Sequence, residues 1–407
     1  MNNTLVEDLL GSPSGTIVTR DVDLLMGHDG TASLIVDRFV KDNSSVWDPS
    51  KVMLVFDHFS APASIDRANI QRKLVVFAKD NALPFKMSSG ICHQLLMEDD
   101  RVSPGKLIIG ADSHTTTAGA VGALATGVGA TDFYDVLSTG KIWLKVPKTT
   151  RVLIKGRVPN YIQGKDIVLE LLRRIGPDGA NYQCLEFCDQ TDNGISIDSR
   201  ATICNMAVDL GAKFGFFVTD QVTQDYIAER GGEYQTLLPS SRANYENILS
   251  IDITNLLPMV SKSATEVLPV NDLIGTKVDQ VFLGSCTAGR LEDLAVIARI
   301  LEGRTVHPHV KTIVIPASKR VLEKALSLGY IDHIVKAGAI LANSSCGPCC
   351  NIDKGVLGDG EVCISTSNRN YPGRMGSLTS QTLLASTLTA VAASLSGEIT
   401  DPRNLIS

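Results

Sequence analysis

At 407 residues, 44% of them hydrophobic and 20% charged, the chain is long enough for two or three globular domains with large cores. A formal charge of −6 argues against nucleic acid or an anionic membrane as the main partner, and no run is long and apolar enough to span a bilayer. The opening Met1-Asn2-Asn3-Thr4 has neither region of a secretory leader, and nine scattered cysteines suit reduced thiols in the cytoplasm better than a disulfide framework.

In chain order, residues 52–56 read as a buried strand and 65–81 as a helix. Strand 106–110 follows, then the glycine-rich run 119–129. That run lacks both the Gly-x-Gly-x-x-Gly pattern and a P-loop lysine, so close helix packing explains it better than nucleotide binding. Next come strand 151–155, helix 165–174 and a helix from Thr202 to about Gly211. The polar stretch 236–263 has weak periodicity and reads as a linker. Beyond it lie strand 280–284, helix 291–301, strand 311–316, helix 319–328 and strand 361–365. Strands alternating with helices predict an α/β fold with parallel sheets covered on both faces. The expected regions are 1–147, 148–262 interleaved with the first, and 263–407.

Ligands in such folds sit at the carboxyl ends of strands. Strand 52–56 runs into Asp57-His58, and 106–110 into Asp112-Ser113-His114. Strand 280–284 runs into Ser285-Cys286, and 361–365 into Ser367-Asn368-Arg369. His93 stands in Ile91-Cys92-His93-Gln94. A single histidine is more often structural than catalytic. Three His/Asp loops, a cysteine loop and an arginine loop at strand ends point to one shared site.

Cys286, Cys346 and Cys349 can supply three thiolates to one centre. Zinc wants a fourth ligand to close a structural site, whereas an iron–sulfur cube with three protein thiolates leaves one iron open. Cys346-Gly347-Pro348-Cys349 also spells a redox-disulfide motif. The redox fold, however, is far shorter and places the motif after a strand and at a helix start. The other cysteines, Cys92, Cys184, Cys188, Cys204, Cys350 and Cys363, are expected to pack as small hydrophobes. Arg369 and Arg374 flank Pro372-Gly373, and two guanidinium forks can hold a dicarboxylic acid. Asn205 and Asp209, four residues apart, are expected to share one helical face; a buried structural pair is the alternative.

With these residues assembled, the chain resembles the aconitase superfamily over nearly its whole length, above all the separate large subunits of 3-isopropylmalate dehydratase and homoaconitase. The resemblance rests on Val55-Phe56-Asp57-His58-Phe59, Ile91-Cys92-His93-Gln94, Gly110-Ala111-Asp112-Ser113-His114-Thr115, Thr202-Ile203-Cys204-Asn205-Met206, Leu283-Gly284-Ser285-Cys286-Thr287, Cys346-Gly347-Pro348-Cys349 and residues 365–374, in that order. It implies three α/β/α domains with parallel-rich sheets around a central cluster site. It implies one oxygen-sensitive [4Fe–4S] cluster per large subunit, held by Cys286, Cys346 and Cys349, with one open iron. Asp57-His58, His93 and Asp112-His114 match the family's charge-paired histidines around the leaving hydroxyl, and a carboxylate-held histidine can protonate departing hydroxide. Asn205 and Asn368 match amides near the cluster, and Arg369 and Arg374 match ligands of the substrate carboxylate. Ser113 and His28 fall on the substrate side.

Three departures accompany the resemblance. Asp209 stands where relatives usually have Glu, and a displacement of about 1 Å can cost on the order of 100-fold in rate. Ala288 stands where relatives usually have Asn. The family's serine base lies in a Gly-Ser-Ser-Arg-Glu loop of a swivelling domain, and Ser240-Ser241-Arg242 is the one near match, without the flanking Gly and Glu. The base is therefore expected on a separate small subunit. The expected activity is hydro-lyase isomerisation of a small hydroxy-di- or tricarboxylate. 3-Isopropylmalate (leucine biosynthesis) comes first, then homocitrate/homoaconitate, then 2,3-dimethylmalate. An iron or redox sensor without turnover is the alternative of another class.

Overall fold

The run Val52–Phe56 has no polar side chain and is buried at every position, as expected of a strand covered on both faces. In the computed structural model, which describes residues 2–406, it pairs in parallel with Leu24–His28 and Phe85–Met87. On its other side, Leu24–His28 pairs in parallel with Leu107–Gly110, which pairs with Leu124–Gly127. The chain thus winds outward one way from Leu24–His28, then returns to wind the other way. The crevice at that reversal opens beside His28 and the loop after Gly110, the usual place for a ligand in an open α/β sheet.

A second parallel sheet has the order Phe214–Phe217, Cys184–Thr191, Thr149–Gly156, Asn247–Asp252. A third repeats the reversal. Gln280–Leu283 pairs on one side with Lys311–Val314 and on the other with Val362–Ser365, all parallel. Ile340–Leu341 and Gln381–Ala385 extend the two sides, and the antiparallel pair Met259–Ser263 and Glu266–Pro269 completes one edge. The loops after Leu283 and Ser365 flank this second switch point. A separate antiparallel ribbon joins Ile17–Asp21 to Lys141–Lys145.

The α/β reading and its parallel sheets stand, and most expected elements match within two residues. Helix Leu291–Leu301 matches at both ends, and Ile65–Asp80 starts where Ser64 accepts from Arg67 N. The linker reading of 236–263 is corrected: Asn247–Asp252 and Met259–Ser263 are strands there. Asn247–Asp252 is an exposed edge strand with Ile251 as its one fully buried side chain, so its hydrophobic alternation is faint. The helix after Thr202 is corrected too. The α-helix Ile197–Asn205 tightens to a 3₁₀ turn, Met206–Leu210, closed by Gly211 at φ 87°.

The glycine-rich run serves close packing. Gly119 lies in the 3₁₀ stretch Ser113–Val121, and a Cβ there would stand 1.9 Å from the carbonyl oxygen of Gly215 in the second sheet. Backbone meets backbone at this point, and no larger residue fits. Cys92, Cys184, Cys204 and Cys363 are buried as expected, but Cys350 is half-exposed and Cys188 accepts from Arg151 Nε and Nη2, both at 3.3 Å. No helix among the described residues is long and apolar enough to cross a membrane.

Arg200 is fully buried beside the second sheet, its fork held by Asp189 at 2.8 Å and by Asp220 at 2.5 Å, over the Phe217 ring. Removing one member of a buried pair strands the other. Arg200→Ala is expected to lower the unfolding free energy by about 3–5 kcal/mol, measured by urea denaturation. A loss within about 0.5 kcal/mol, the range of ordinary surface substitutions, would show that the cluster is not structural.

Candidate active site

The first sheet brings four histidines to the carboxyl ends of its strands. His28 ends its strand, Asp57-His58 and Asp112–His114 follow theirs, and His93 opens the helix Cys92–Glu98 after Phe85–Met87. Each imidazole meets an aspartate. His58 Nδ1 lies 2.7 Å from Asp57, His93 Nε2 lies 2.8 Å from Asp112, and His28 Nε2 lies 3.5 Å from the other Asp112 oxygen. His114 approaches Asp112 at 3.5 Å through Nδ1 and Asp209 at 3.4 Å through Nε2. Ser113 Oγ lies 3.3 Å from His114 Nδ1. The His28 and His58 rings stack with centroids 4.0 Å apart.

These contacts fix the protons. Burial pushes the Asp57 and Asp112 carboxyls up, but His58 in the first case and His93 in the second hold them below the usual range. Burial pulls His58 and His114 down, yet Cys346 and Asp57 raise the first above its ordinary value, and Asp209 and Asp112 raise the second. His28, pressed against His58, falls to about 4 through burial and that neighbour's charge, so it is neutral.

The third sheet supplies the thiols. Cys286 follows Gln280–Leu283, with Ser285 held at φ 74°. Cys346 caps the 3₁₀ turn Gly347–Cys350 and Cys349 lies within it, and all nine cysteines are free. This turn neither follows a strand directly nor opens an α-helix, so the redox-motif context is missing. Cys346 Sγ lies 3.9 Å from both ring nitrogens of His58. The Ser285 hydroxyl bridges Cys349 at 3.5 Å and Cys286 at 3.8 Å. Asn368 Nδ2 donates to Cys286 Sγ and to Asn205 Oδ1, each at 3.2 Å. Burial and the nearby Cys349 push the Cys286 thiol to about 12. Cys349 is pushed up by burial but pulled below its usual value by Arg374 and Ser285.

The helix Ile197–Asn205 and its 3₁₀ extension close the site. Asp209 accepts from Arg369 Nε at 2.7 Å, so the shorter carboxylate still reaches both that arginine and the His114 ring. Asn205 and Asp209 both face the site, across the α-to-3₁₀ junction rather than on one helical turn. Arg374 Nη2 lies 3.8 Å from Cys349 Sγ, and its Nη1 donates to Tyr371. His93 Nδ1 and Arg374 Nε are buried with no hydrogen-bond partner among the described residues, and His114 Nε2 and Asp209 Oδ2 have only one another, at 3.4 Å. Donor atoms of His93, His114 and Cys286 all lie within 4.8 Å of one another. Buried polar atoms left open around thiols are what a bound group satisfies.

All fifteen residues singled out from the sequence therefore contribute to this one crevice. The sequence model of the aconitase family (aconitate hydratase) matches residues 2–275 and 264–397. The chain belongs to the aconitase family. It is 42% identical to 3-isopropylmalate dehydratase large subunit 1 of Methanopyrus kandleri, over 99% of each chain. It is also 42% identical to a probable methanogen homoaconitase large subunit of Methanosarcina mazei, over 95% of this chain and 99% of that one. The structure is similar to the crystal structure of Thermococcus kodakaraensis aconitase X (holo-form), with TM-score 0.54 and 12% identity over 89% of this chain and 86% of that chain. That likeness concerns the fold.

Four further residues of this aconitase-family chain received no site role from the sequence. Asp29 accepts the backbone N–H groups of His58 and Phe59, and burial with the nearby Asp57 raises it to about 6. Its signal was the His28-Asp29 pair at a strand end. Ser285 and Arg290, whose Nη2 donates to the Cys286 carbonyl at 2.6 Å, sit beside a thiol already chosen. Lys165 is 3% exposed, and burial lowers its amine to about 8. A lysine in an amphipathic helix gives no sign that it points inward.

His114 owes its raised value partly to Asp209. Its protonated form is held in the folded state, so this pair stabilises the fold below the ordinary imidazole range and loses that effect as pH rises through the raised value. In Asp209→Asn, the His114 titration followed by NMR is expected to move to lower pH. An unmoved midpoint would dissociate the pair.

Proposed function

We propose that this chain is the cluster-bearing large subunit of a two-subunit hydro-lyase that interconverts 2- and 3-isopropylmalate by dehydration and rehydration. The observation that carries the reading is the meeting of three cysteine thiols with carboxylate-held imidazoles across one buried crevice. Full-length similarity to large subunits of 3-isopropylmalate dehydratase and homoaconitase supports the reaction class. A small subunit supplies the serine that removes the carbon-bound proton. Nine free cysteines suit a reducing cytoplasm.

The residues fit a [4Fe–4S] cluster. Cys286, Cys346 and Cys349 would hold it, and the unpartnered His93 Nδ1 and Arg374 Nε belong to side chains beside Cys286 and Cys349. When bound, a cluster with one iron free of protein thiolate supplies a Lewis acid for the substrate's hydroxyl. The remaining chemistry belongs to the chain. Their carboxylate partners raise the proton affinity of His58 and His114, and either imidazolium can deliver its proton to a departing hydroxide. Asp57 and Asp112 orient their rings and stabilise the imidazolium. Arg374 offers its unpartnered Nε to a carboxylate, and Arg369, braced by Asp209, keeps donors for a second one.

Anaerobic reconstitution with the small subunit tests the proposal. Turnover of 2-isopropylmalate, read as absorbance of the unsaturated intermediate, is expected to exceed that of homocitrate and 2,3-dimethylmalate. An intact cluster without signal from any of the three overturns the enzymatic reading and leaves the sensor. Cys286→Ser is expected to lose the cluster chromophore; retention would refute the ligand set. Arg374→Ala is expected to lower kcat/KM by about 10–100-fold, since a hydrogen bond to a charged group contributes about 1.5–3 kcal/mol.

A further inference from the structure

Lys165 lies in the first turn of the helix Gly164–Ile175 and carries its ammonium into the interior, toward the loop after Val362–Ser365. Its Nζ donates to the Ser367 carbonyl at 2.7 Å and lies 3.3 Å from Met206 Sδ. Both partners are neutral, two contacts for three N–H groups. Arg200, equally buried, has two carboxylates on its fork. An ammonium taken out of water without a counter-ion is costly. It persists where the surroundings carry negative charge at slightly longer range. Here those surroundings are Cys286, Asp209, Cys349 and Asp293, each of which favours the charged lysine. Three thiolates outweigh the cube they hold, so a loaded centre is anionic.

We propose that Lys165 is a positioning residue and the counter-charge of the metal centre: its ammonium raises the reduction potential of the cluster held by Cys286, Cys346 and Cys349, and its bond to Ser367 steadies the adjoining Asn368-Arg369. This rests on the cluster reading above. Asn368 touches Cys286 Sγ and Arg369 touches Asp209, so the single Lys165–Ser367 bond reaches both the thiol shell and the carboxylate shell.

The test uses the full chain reconstituted anaerobically as wild type, Lys165→Gln, Lys165→Met and Lys165→Arg. Midpoint potentials are read by dithionite titration with EPR detection of the reduced cluster. Gln keeps a donor for the Ser367 carbonyl without the charge, Met keeps only the shape, and Arg keeps the charge. Downward shifts in Gln and Met, with Arg close to wild type, are expected. Equal potentials in all four overturn the proposal. An Arg variant shifted as far as Gln also overturns it, because the cause is then disturbed packing rather than charge. Should Met fail to fold, the Gln and Arg pair decides. A wild-type chain that binds no cluster overturns the cluster reading, and the proposal with it.

Discussion

Four aspartates cannot share a dry crevice unless something beside each bears a proton or a positive charge. Asp29, Asp57, Asp112 and Asp209 face imidazoles, backbone N–H groups and a guanidinium, and the whole site is organised around that requirement. Asp112 is its hub, touching His28, His93 and His114. Because one carboxylate serves three rings, the proton inventory belongs to the group rather than to any one histidine. Burial alone would neutralise the acids and discharge the imidazoles. Pairing keeps both forms, so the crevice can be buried and still hold mobile protons.

Topology gives the charges their address. Both open sheets reverse their winding at a central strand, and both reversals face the same crevice. One presents histidines and carboxylates, the other thiols and amides. The helix Ile197–Asn205, its 3₁₀ extension and the helix Gly164–Ile175 add Asn205, Asp209 and Lys165. Neither sheet could assemble the donor set by itself.

Much of this was legible in the sequence because strand ends announce themselves. Val52–Phe56 is apolar throughout and stops at Asp57, so both the strand and the loop chemistry could be read. Residues of the edge strand Asn247–Asp252 were missed because one buried side chain leaves no alternation to detect. The α-to-3₁₀ change at Met206 was missed because Gly211 marks where a helix ends, not how tightly its last turn winds. Lys165 and Asp29 were missed for a different reason. Asp29 stood at a strand end beside His28 but works through backbone N–H groups, which no side-chain pattern reports, and no spacing rule reports that Lys165 lacks a counter-ion. The Asp209 departure looked costly on length alone, yet the tighter 3₁₀ turn is where the shorter side chain meets Arg369 and His114.

The contact between Gly119 and Gly215 has a consequence for how such a site can change. It gauges the gap between the first and second sheets with backbone on both sides. A spacing set by side chains can be trimmed one methylene at a time, but this one has nothing to trim. Any residue larger than glycine at 119 must push the two backbones apart, so a substitution here changes the spacing of the crevice walls all at once.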